Sequence, residues 1–418
     1  MNKLIRKYNE TSLILRIIIG LIIGTVLGLI IPGKPVIPLF GSIFVGALKA
    51  VAPILVFVLV ISSLAQGTTG FDNRFGFVIF LYLFSTLLAG IVAVVASFLF
   101  PLTVKLAGSV DVSAAPSGVG EVLQNLILSM VGNPISALGN ANYISILFWA
   151  MLLGIIFKKV ASDVTKKVIA DLADAVSMLV GWIIAMAPFG IMGLIYDTIS
   201  QSGLSIFVDY GKLLLLLVGT MLVVSLILNP LIVFLAIRAN PYPLVLRCLR
   251  ESAFMAFFMR SSAANIPVNM TLCEKLGLDR DIYSVSIPLG STINMDGAAV
   301  VITIMTMTAA NTVGIHVDIP SAIVLSLLST LAACGTSGVA GGSLLLIPMS
   351  CSLFGIPQDT AMAMVGVGYI INVIQDSFET ALNSSGDVLF TATAEYHHWR
   401  KTGKSLPTFL GGTTKVDI

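Results

Sequence analysis

The sequence predicts an all-α membrane protein with about eight transmembrane helices and two re-entrant helical hairpins. Hydrophobic residues make up 57% and charged residues 11% of the 418-residue chain, whereas soluble domains carry roughly 25% charged residues. The first half holds six apolar runs, and a span needs about 20 apolar residues. These runs lie at 13–31, 39–64, 75–102, 143–157, 176–199 and 211–237. In the second half the apolar segments are shorter, and polar, Gly-rich stretches break them.

Composition also argues against several function classes. The net charge of +2, without a basic run, gives nucleic acid no surface to bind. No GxxxxGK[ST] loop occurs, which disfavours an ATP-driven pump. The apolar runs contain no His and no nucleophile–base pair. We therefore predict a transporter and not an enzyme.

The positive charges predict the orientation in the membrane. If the six runs alternate, most Lys and Arg of the first half fall on one side, including Lys158, Lys159, Lys166 and Lys167. By the positive-inside rule that side, and with it the N-terminus, is cytoplasmic. The basic stretch HHWRKTGK near the C-terminus predicts that the chain also ends in the cytoplasm. We read the first run as a transmembrane helix and not as a cleavable signal.

Four polar stretches interrupt the second half of the chain. They are MRSSAANIP at 259–267, TINMDGAAV at 292–300, CGTSGVAGGS at 334–343 and ETALNSSGD at 379–387. Non-helical backbone at membrane depth is tolerated only where it is buried in protein or lines a cavity. A Ser-rich hairpin with a broken helix precedes a Gly-rich hairpin with a polar helix. Such paired interruptions are typical of inverted repeats around a transporter site.

The last polar stretch forms a stripe on one helix face. Asp376, Thr380, Asn383 and Asp387 follow the helical period of 3.6 residues, and Glu379 lies beside them. Hydrogen bonds to neighbouring helices would explain a lone Asn or Thr. Several carboxylates indicate a buried cavity, because charges are strongly excluded from spans.

The other interruptions allow two readings each. A helix broken before Asp296 would free carbonyl oxygens for a hard cation such as Na⁺, or Asp296 would cap a half-helix. The Gly-rich stretch would offer N–H groups to a carboxylate and move as a gate, or it would serve close helix packing. Arg260 would be the charge partner of the last helix, or a snorkelling residue at the interface.

Together, in this order and spacing, the four stretches resemble the dicarboxylate/amino acid:cation symporter family, which includes the glutamate transporters and their archaeal aspartate homologues. The sequence is most similar to the bacterial sodium/serine/threonine symporters of that family. The resemblance implies a homotrimer in the bacterial cell membrane with an elevator-type mechanism. By this resemblance, residues 1–240 would be mainly a scaffold and trimerisation part. The third span, about 75–102, would belong to the transport part. The transport part would continue over 241–400 with the hairpins and the broken seventh and polar eighth helices, and 401–418 would be a cytoplasmic tail.

The resemblance also implies the substrate contacts. Asp376 would hold the amino group of an amino acid and Asn383 its carboxylate, while Thr380 would add a hydroxyl contact. The side chain of Ser262 and the backbone near Val339 and Gly341 would close over the substrate.

Three sodium sites follow from the same resemblance, giving two or three Na⁺ per protomer. One would use Asp387 with carbonyls of Gly290, Asn294 and Asn383. A second would use carbonyls of Thr292, Ala333, Cys334 and Thr336, with the Met295 sulfur nearby. The third, resting on the shortest match, would combine Asn294 and Asp296 with Tyr82, Ser85 and Thr86.

Two departures from the acidic-substrate members predict the substrate class. Those members carry Arg where this chain has Glu379, and Thr where it has Ala298. Both changes favour a small neutral amino acid, L-serine, L-threonine or alanine, imported with Na⁺. We further hypothesise that Arg260 pairs with Glu379. The alternatives are proton coupling, a dicarboxylic or cationic amino acid, or an ion channel.

Overall fold

The computed structural model describes residues 11–66, 73–106, 119–334 and 341–416. Regular structure in these ranges is helical apart from one isolated bridge between Pro407 and Thr414. Seven of the described helical segments are long and apolar enough to cross a membrane: Val36–Ala65, Arg74–Leu99, Tyr143–Val160, Asp163–Ala185, Gly203–Ile237, Arg280–Thr312 and Gln358–Lys401. The prediction of an all-α membrane protein is therefore confirmed for the described chain.

The first half of the chain forms helices α1 to α10. Their bounds are α1 Leu13–Ile30, α2 Val36–Ala65, α3 Asn73–Leu99, α4 Val119–Met130, α5 Pro134–Gly139, α6 Tyr143–Val160, α7 Asp163–Ala185, α8 Ala187–Ser202, α9 Ile206–Val223 and α10 Asn229–Ile237. The five-residue π-helical turn Val224–Leu228 joins α9 to α10.

The second half forms helices α11 to α18. Their bounds are α11 Tyr242–Cys248, α12 Phe254–Met259, α13 Ser262–Lys275, α14 Arg280–Ile293, α15 Asp296–Thr312, α16 Ile319–Ala333, α17 Ile347–Ser352 and α18 Gln358–Lys401. A second π-helical turn, Leu249–Ala253, precedes α12, and a 3₁₀ turn, Gly342–Leu346, precedes α17. Helix α18 has 44 residues, or about 66 Å at 1.5 Å per residue.

One predicted span is wrong. The run 176–199 is split between α7 and α8 at Met186. Pro188 has no N–H to donate to the carbonyl four residues earlier, and its ring crowds that carbonyl. The regular helix is interrupted next to this proline, although the sequence stays apolar.

Helices α1 and α8 pack backbone against backbone. Gly20, Gly24 and Gly28 of α1 recur every four residues, on one face of the helix. A Cβ at Gly20 would lie 2.2 Å from the Pro188 carbonyl oxygen, and one at Gly24 would lie 2.4 Å from that of Met192. Small residues at this spacing let membrane helices approach closely, so this pair forms a rigid element of the first half.

Helices of the two halves have different neighbours. Helix α2 packs on α6, α7 and α8, whereas α3 packs on α15, α16 and α18. Helix α10 also packs on α18. Residues of α3, α10 and α18 share one apolar cluster, which contains Val78, Ile232 and Phe390.

An ion pair joins the start of α18 to the middle of α2. Lys49 Nζ lies 2.6 Å from Asp359 Oδ1. Asp359 is the second residue of α18, while Lys49 lies 13 residues after Val36, the first residue of α2. The first turn of α18 therefore lies about 20 Å along α2.

Two connections position polar backbone beside α18. Helix α12 ends at Arg260 in a left-handed conformation with φ of 51°, and Ser261 Oγ then accepts from Ala264 N to cap α13. The second connection follows α16 and returns at Gly341, where φ is 69°. Val339 and Thr336, both predicted site residues, lie outside the described residues.

Candidate functional site

Asp376 is held by both connections. Arg260 Nε donates to Asp376 Oδ2 at 2.7 Å, and the Gly341 N–H donates to Asp376 Oδ1 at 3.1 Å. Both charged side chains are almost buried, with 10% of Arg260 and 6% of Asp376 exposed. Each carboxylate oxygen thus has one donor, from a different connection, and Ser262 begins α13 two residues after Arg260.

Glu379 has neutral partners, which corrects the hypothesis that Arg260 pairs with it. Ser343 Oγ donates to Glu379 Oε2 at 2.7 Å, and Gln375 Nε2 donates to the same oxygen. Arg260 instead forms a salt bridge with Asp376. The physical reason is that a hydroxyl of the 3₁₀ turn and an amide of α18 already donate to Glu379 Oε2. Within the described residues Glu379 is a buried carboxylate without a salt-bridge partner.

Asn383 links α18 to the break between α14 and α15. Its Oδ1 accepts from the Gly297 N–H at 2.7 Å, its Nδ2 lies 3.4 Å from the Met295 sulfur, and its carbonyl accepts from Asn294 Nδ2 at 2.9 Å. The break is local, because Asn294 has ψ of 86° and Met295 has ψ of 48°, both outside the helical range. Thr380, one turn earlier, is buried on the same stripe.

The geometry at Asp387 fits a cation. Its Oδ1 accepts from Asn294 Nδ2 at 3.0 Å, while its Oδ2 is buried and has no hydrogen-bond donor among the described residues. A Cβ at Gly290 would lie 2.8 Å both from Asp387 Oδ1 and from the Tyr82 hydroxyl. A buried carboxylate oxygen without a donor is costly unless an ion or a proton binds it. Asp387, Asn294, Asn383 and Gly290, the residues predicted for one sodium site, thus lie together.

Asp296 forms a second acidic centre next to α3. The hydroxyls of Ser85 and Thr86 lie 2.8 Å and 3.1 Å from its Oδ1. Asn229 Nδ2 donates to its Oδ2 at 3.1 Å. The carboxylate is fully buried, and its hydrogen bonds go to α3 and α10 and not to its own helix end. This geometry argues against the alternative that Asp296 caps α15.

Tyr82 and Ser85 of α3 contact different parts of the site. The Tyr82 hydroxyl lies 3.0 Å from the Asp387 carbonyl oxygen and 2.9 Å from Thr391 Oγ1. One turn later, Ser85 Oγ lies 3.4 Å from Asn294 Oδ1. One face of α3 therefore contacts both the helix break and α18.

The second predicted sodium set is only partly described. Cys334 follows α16 directly, and its Sγ lies 3.9 Å from the Ile293 carbonyl oxygen. The Thr292 hydroxyl donates to the Leu289 carbonyl at 2.7 Å. The end of α16, with Ala333 and Cys334, thus lies beside the end of α14. Thr336, the remaining member, lies outside the described residues.

A comparison with family models decides the family. Residues 13–396 match the sodium:dicarboxylate symporter family. This chain belongs to that family. The family prediction made from the four interrupted stretches is confirmed, and membership of a symporter family agrees with the prediction that the protein is not an enzyme.

Curated relatives within the sodium:dicarboxylate symporter family are similar over almost the whole chain. A serine/threonine transporter SstT of Bifidobacterium adolescentis is 61% identical over 96% of this chain and 94% of its own length. One of Streptococcus thermophilus is 55% identical over 96% of this chain and 100% of its own length. A third, of Streptococcus agalactiae, is 55% identical over 94% of this chain and 98% of its own length.

Sequence reasoning missed one polar cluster of this family member, formed by Ser252, Asn265, Asn269 and Ser384. Asn265 Nδ2 donates to Ser384 Oγ at 2.9 Å, and Asn269 Nδ2 donates to the Ser384 carbonyl at 2.9 Å. Ser252 Oγ donates to Asn269 Oδ1 at 2.5 Å. The signal in the sequence was the pair of Asn four residues apart on one face of α13, which fastens the first connection to α18.

Asn229 was also missed. It follows the ten residues GTMLVVSLIL, which are apolar or small, and precedes Pro230. An Asn-Pro pair inside an apolar run signals a helix irregularity, but the sequence gives no sign that its amide reaches Asp296.

Proposed function

We propose that this chain is a sodium-coupled symporter that imports small neutral amino acids, L-serine and L-threonine. The observation that carries the proposal is the identity of 55–61% to curated serine/threonine transporters over nearly the whole chain. The geometry of α18 supports it, because acidic and amide groups converge there from separate elements.

Asp376 is proposed to bind the amino group of the substrate. Arg260 donates to one of its oxygens and the Gly341 N–H to the other, and each oxygen keeps acceptor capacity to which an ammonium group would donate. Asn383 is proposed to bind the carboxylate through Nδ2, whose present partner is the weak acceptor sulfur of Met295. The contacts assigned to Ser262, Thr380, Val339 and Gly341 would complete the site.

Glu379 is proposed to select against acidic substrates. It is buried with neutral partners only, so a second carboxylate nearby would meet uncompensated repulsion. A substrate hydroxyl, by contrast, would gain a charge-assisted hydrogen bond. Aspartate should therefore fail where serine and threonine bind.

Sodium is proposed to act as a co-substrate with two or three ions per protomer. Asp387 would hold one ion and Asp296 another, while the set around Thr292, Ala333 and Cys334 would hold a further one. The ions at Asp387 and Asp296 would each offset the charge of a buried carboxylate. Coupling would arise because Asn294 contacts Asp387 directly, and Asn383 contacts both the helix break and the proposed substrate site. Ion and substrate would then stabilise the same local arrangement.

A transport assay tests this function. Purified protein in proteoliposomes is expected to accumulate radiolabelled L-serine only under an inward Na⁺ gradient. Unlabelled threonine should compete and aspartate should not. Uptake that persists without Na⁺ but collapses with the pH gradient would contradict sodium coupling, and competition by aspartate would contradict the role of Glu379.

An elevator-type mechanism is proposed for the movement. The contacts that support it divide α2 and its neighbours from a unit of α3, α10 and α14 to α18. If both helices start on the outer side, the Lys49–Asp359 pair means that α18 lies about 20 Å toward the cytoplasm along α2. In an outward arrangement the two residues would separate.

Cross-linking should therefore stop transport. In a Lys49→Cys, Asp359→Cys variant, a thiol cross-linker is expected to reduce serine uptake to background, and a reductant should restore it. The reason is that the cross-link fixes one arrangement of α18 against α2. Each single variant, treated with the same reagent, serves as control. Full uptake by the cross-linked double variant would overturn the elevator proposal.

The surroundings are proposed to be the bacterial cell membrane, with both termini cytoplasmic and the protein a homotrimer. The relatives that support this are bacterial proteins, and the charge distribution supports the orientation. Mass measurement of the detergent-solubilised protein would test the trimer, and a monomeric mass would contradict it.

A further inference from the structure

The first residue of α10 lies in an apolar run, yet it is the polar Asn229. The π-helical turn Val224–Leu228 ends directly before it, and Pro230 follows. Pro230 cannot donate to the Leu226 carbonyl, and the Tyr242 hydroxyl lies 3.2 Å from that oxygen in its place. π-helical turns are frequent at functional sites. The helix irregularity is thus stabilised from outside and leaves Asn229 only 2% exposed.

Asn229 donates the hydrogen bond to the second carboxylate oxygen of Asp296. The two hydroxyls of α3 approach Asp296 Oδ1. Oδ2 accepts only from Asn229 Nδ2, at 3.1 Å, among the contacts of the described residues. Without that amide, one oxygen of a fully buried carboxylate would lose its donor. Asn229 therefore fixes the orientation of Asp296.

The oxygen of the Asn229 side-chain amide has no hydrogen-bond donor among the described residues. This atom, Oδ1, is buried. It shares one carbon with Nδ2, so it lies close to the Asp296 carboxylate. Sodium is a hard cation, and hard cations take carboxylate and amide oxygens as ligands. A neutral amide oxygen would add a ligand without adding charge, which suits a monovalent ion.

We propose that Asn229 is a positioning residue of the sodium site at Asp296, and that its Oδ1 is an additional ligand. This inference rests on the proposed sodium-coupled function. It adds the sixth apolar run to a site that sequence reasoning built from the third run and the broken helix. The ion would then connect α3, α10 and α15.

Sodium-dependent thermal stabilisation tests the proposal independently of transport. The melting temperature of the purified protein is measured against NaCl, with choline chloride keeping the ionic strength constant. In Asn229→Leu, which has a similar volume and no polar atoms, the half-saturating Na⁺ concentration should rise about tenfold, as for other residues that orient metal ligands. Tyr242→Phe alters the same helix irregularity without touching Asp296, and its half-saturation should equal that of the wild type.

A double variant separates this role from general packing. In an Asp296→Asn background, adding Asn229→Leu should leave the Na⁺ half-saturation unchanged, because both substitutions act on one group. Asn229→Ser, too short to reach Asp296, should repeat the Asn229→Leu result if the latter folds poorly.

The outcomes distinguish this inference from the function on which it rests. A wild-type protein without sodium-dependent stabilisation would contradict the proposed function itself. A wild type that responds, with Asn229→Leu responding at the same Na⁺ concentration, would overturn this inference alone. Loss of folded protein in both Asn229 variants at saturating Na⁺ would assign Asn229 to the fold only and would also overturn it.

Discussion

Asp376→Asn is expected to abolish serine binding while sodium binding survives. The substitution removes the negative charge proposed to hold the ammonium group and leaves Arg260 buried without its ion-pair partner. Removing one member of a buried charge pair costs about 2–5 kcal/mol, which is roughly a 30- to 4,000-fold loss of affinity. Binding of radiolabelled serine in saturating NaCl measures the loss.

The control for this variant is Asp209→Asn, the same exchange in the first turn of α9. It should bind serine like the wild type. Sodium-dependent thermal stabilisation of Asp376→Asn should persist, which shows that the protein is folded. Serine binding within threefold of wild type would refute the assignment of Asp376.

Asp387→Asn is expected to have the opposite pattern. Its Oδ2 has no donor among the described residues, and its Oδ1 accepts from Asn294, which also donates to the Asn383 carbonyl. A neutral amide there cannot offset the charge of the ion, so the half-saturating Na⁺ concentration should rise by about a hundredfold, within the 2–5 kcal/mol range for buried charges. Serine uptake measured over a range of Na⁺ concentrations gives this value.

The ratio of serine to threonine uptake should change little in the Asp387 variant, because Asp376 and Glu379 are untouched. If the Asp376 and Asp387 variants lose sodium and serine responses in parallel, the proposed division between substrate and ion sites is wrong.

Helical periodicity in the sequence was enough to predict much of the candidate site. Asp376, Asn383 and Asp387 share a face because of their spacing alone, and the break at Asn294 follows from the polar, Gly-containing stretch around it. These positions could be deduced because local sequence determines both features. The membrane class was predictable for the same reason, since composition decides it.

Which side chain pairs with each buried carboxylate could not be deduced from local sequence. Asp376 and Glu379 lie within one turn of each other, and only the three-dimensional position of Arg260 decides that Asp376 receives it. The amide of Asn229 reaches Asp296 across 67 residues, which no periodicity indicates. The break at Met186 was missed because apolar residues continue through it and hid the effect of Pro188.

The cluster of Ser252, Asn265, Asn269 and Ser384 has a consequence for biogenesis. Asn265 and Asn269 find their partner 119 and 115 residues later in the chain. While the ribosome is still making those residues, the two amides of α13 would have only each other and Ser252 as partners, and this incomplete polar cluster would face lipid, which is costly. The first connection should therefore insert stably into the bilayer only after α18 has been synthesised. The last long helix to leave the ribosome would then supply the hydrogen-bond partners that fix the position of the earlier α13.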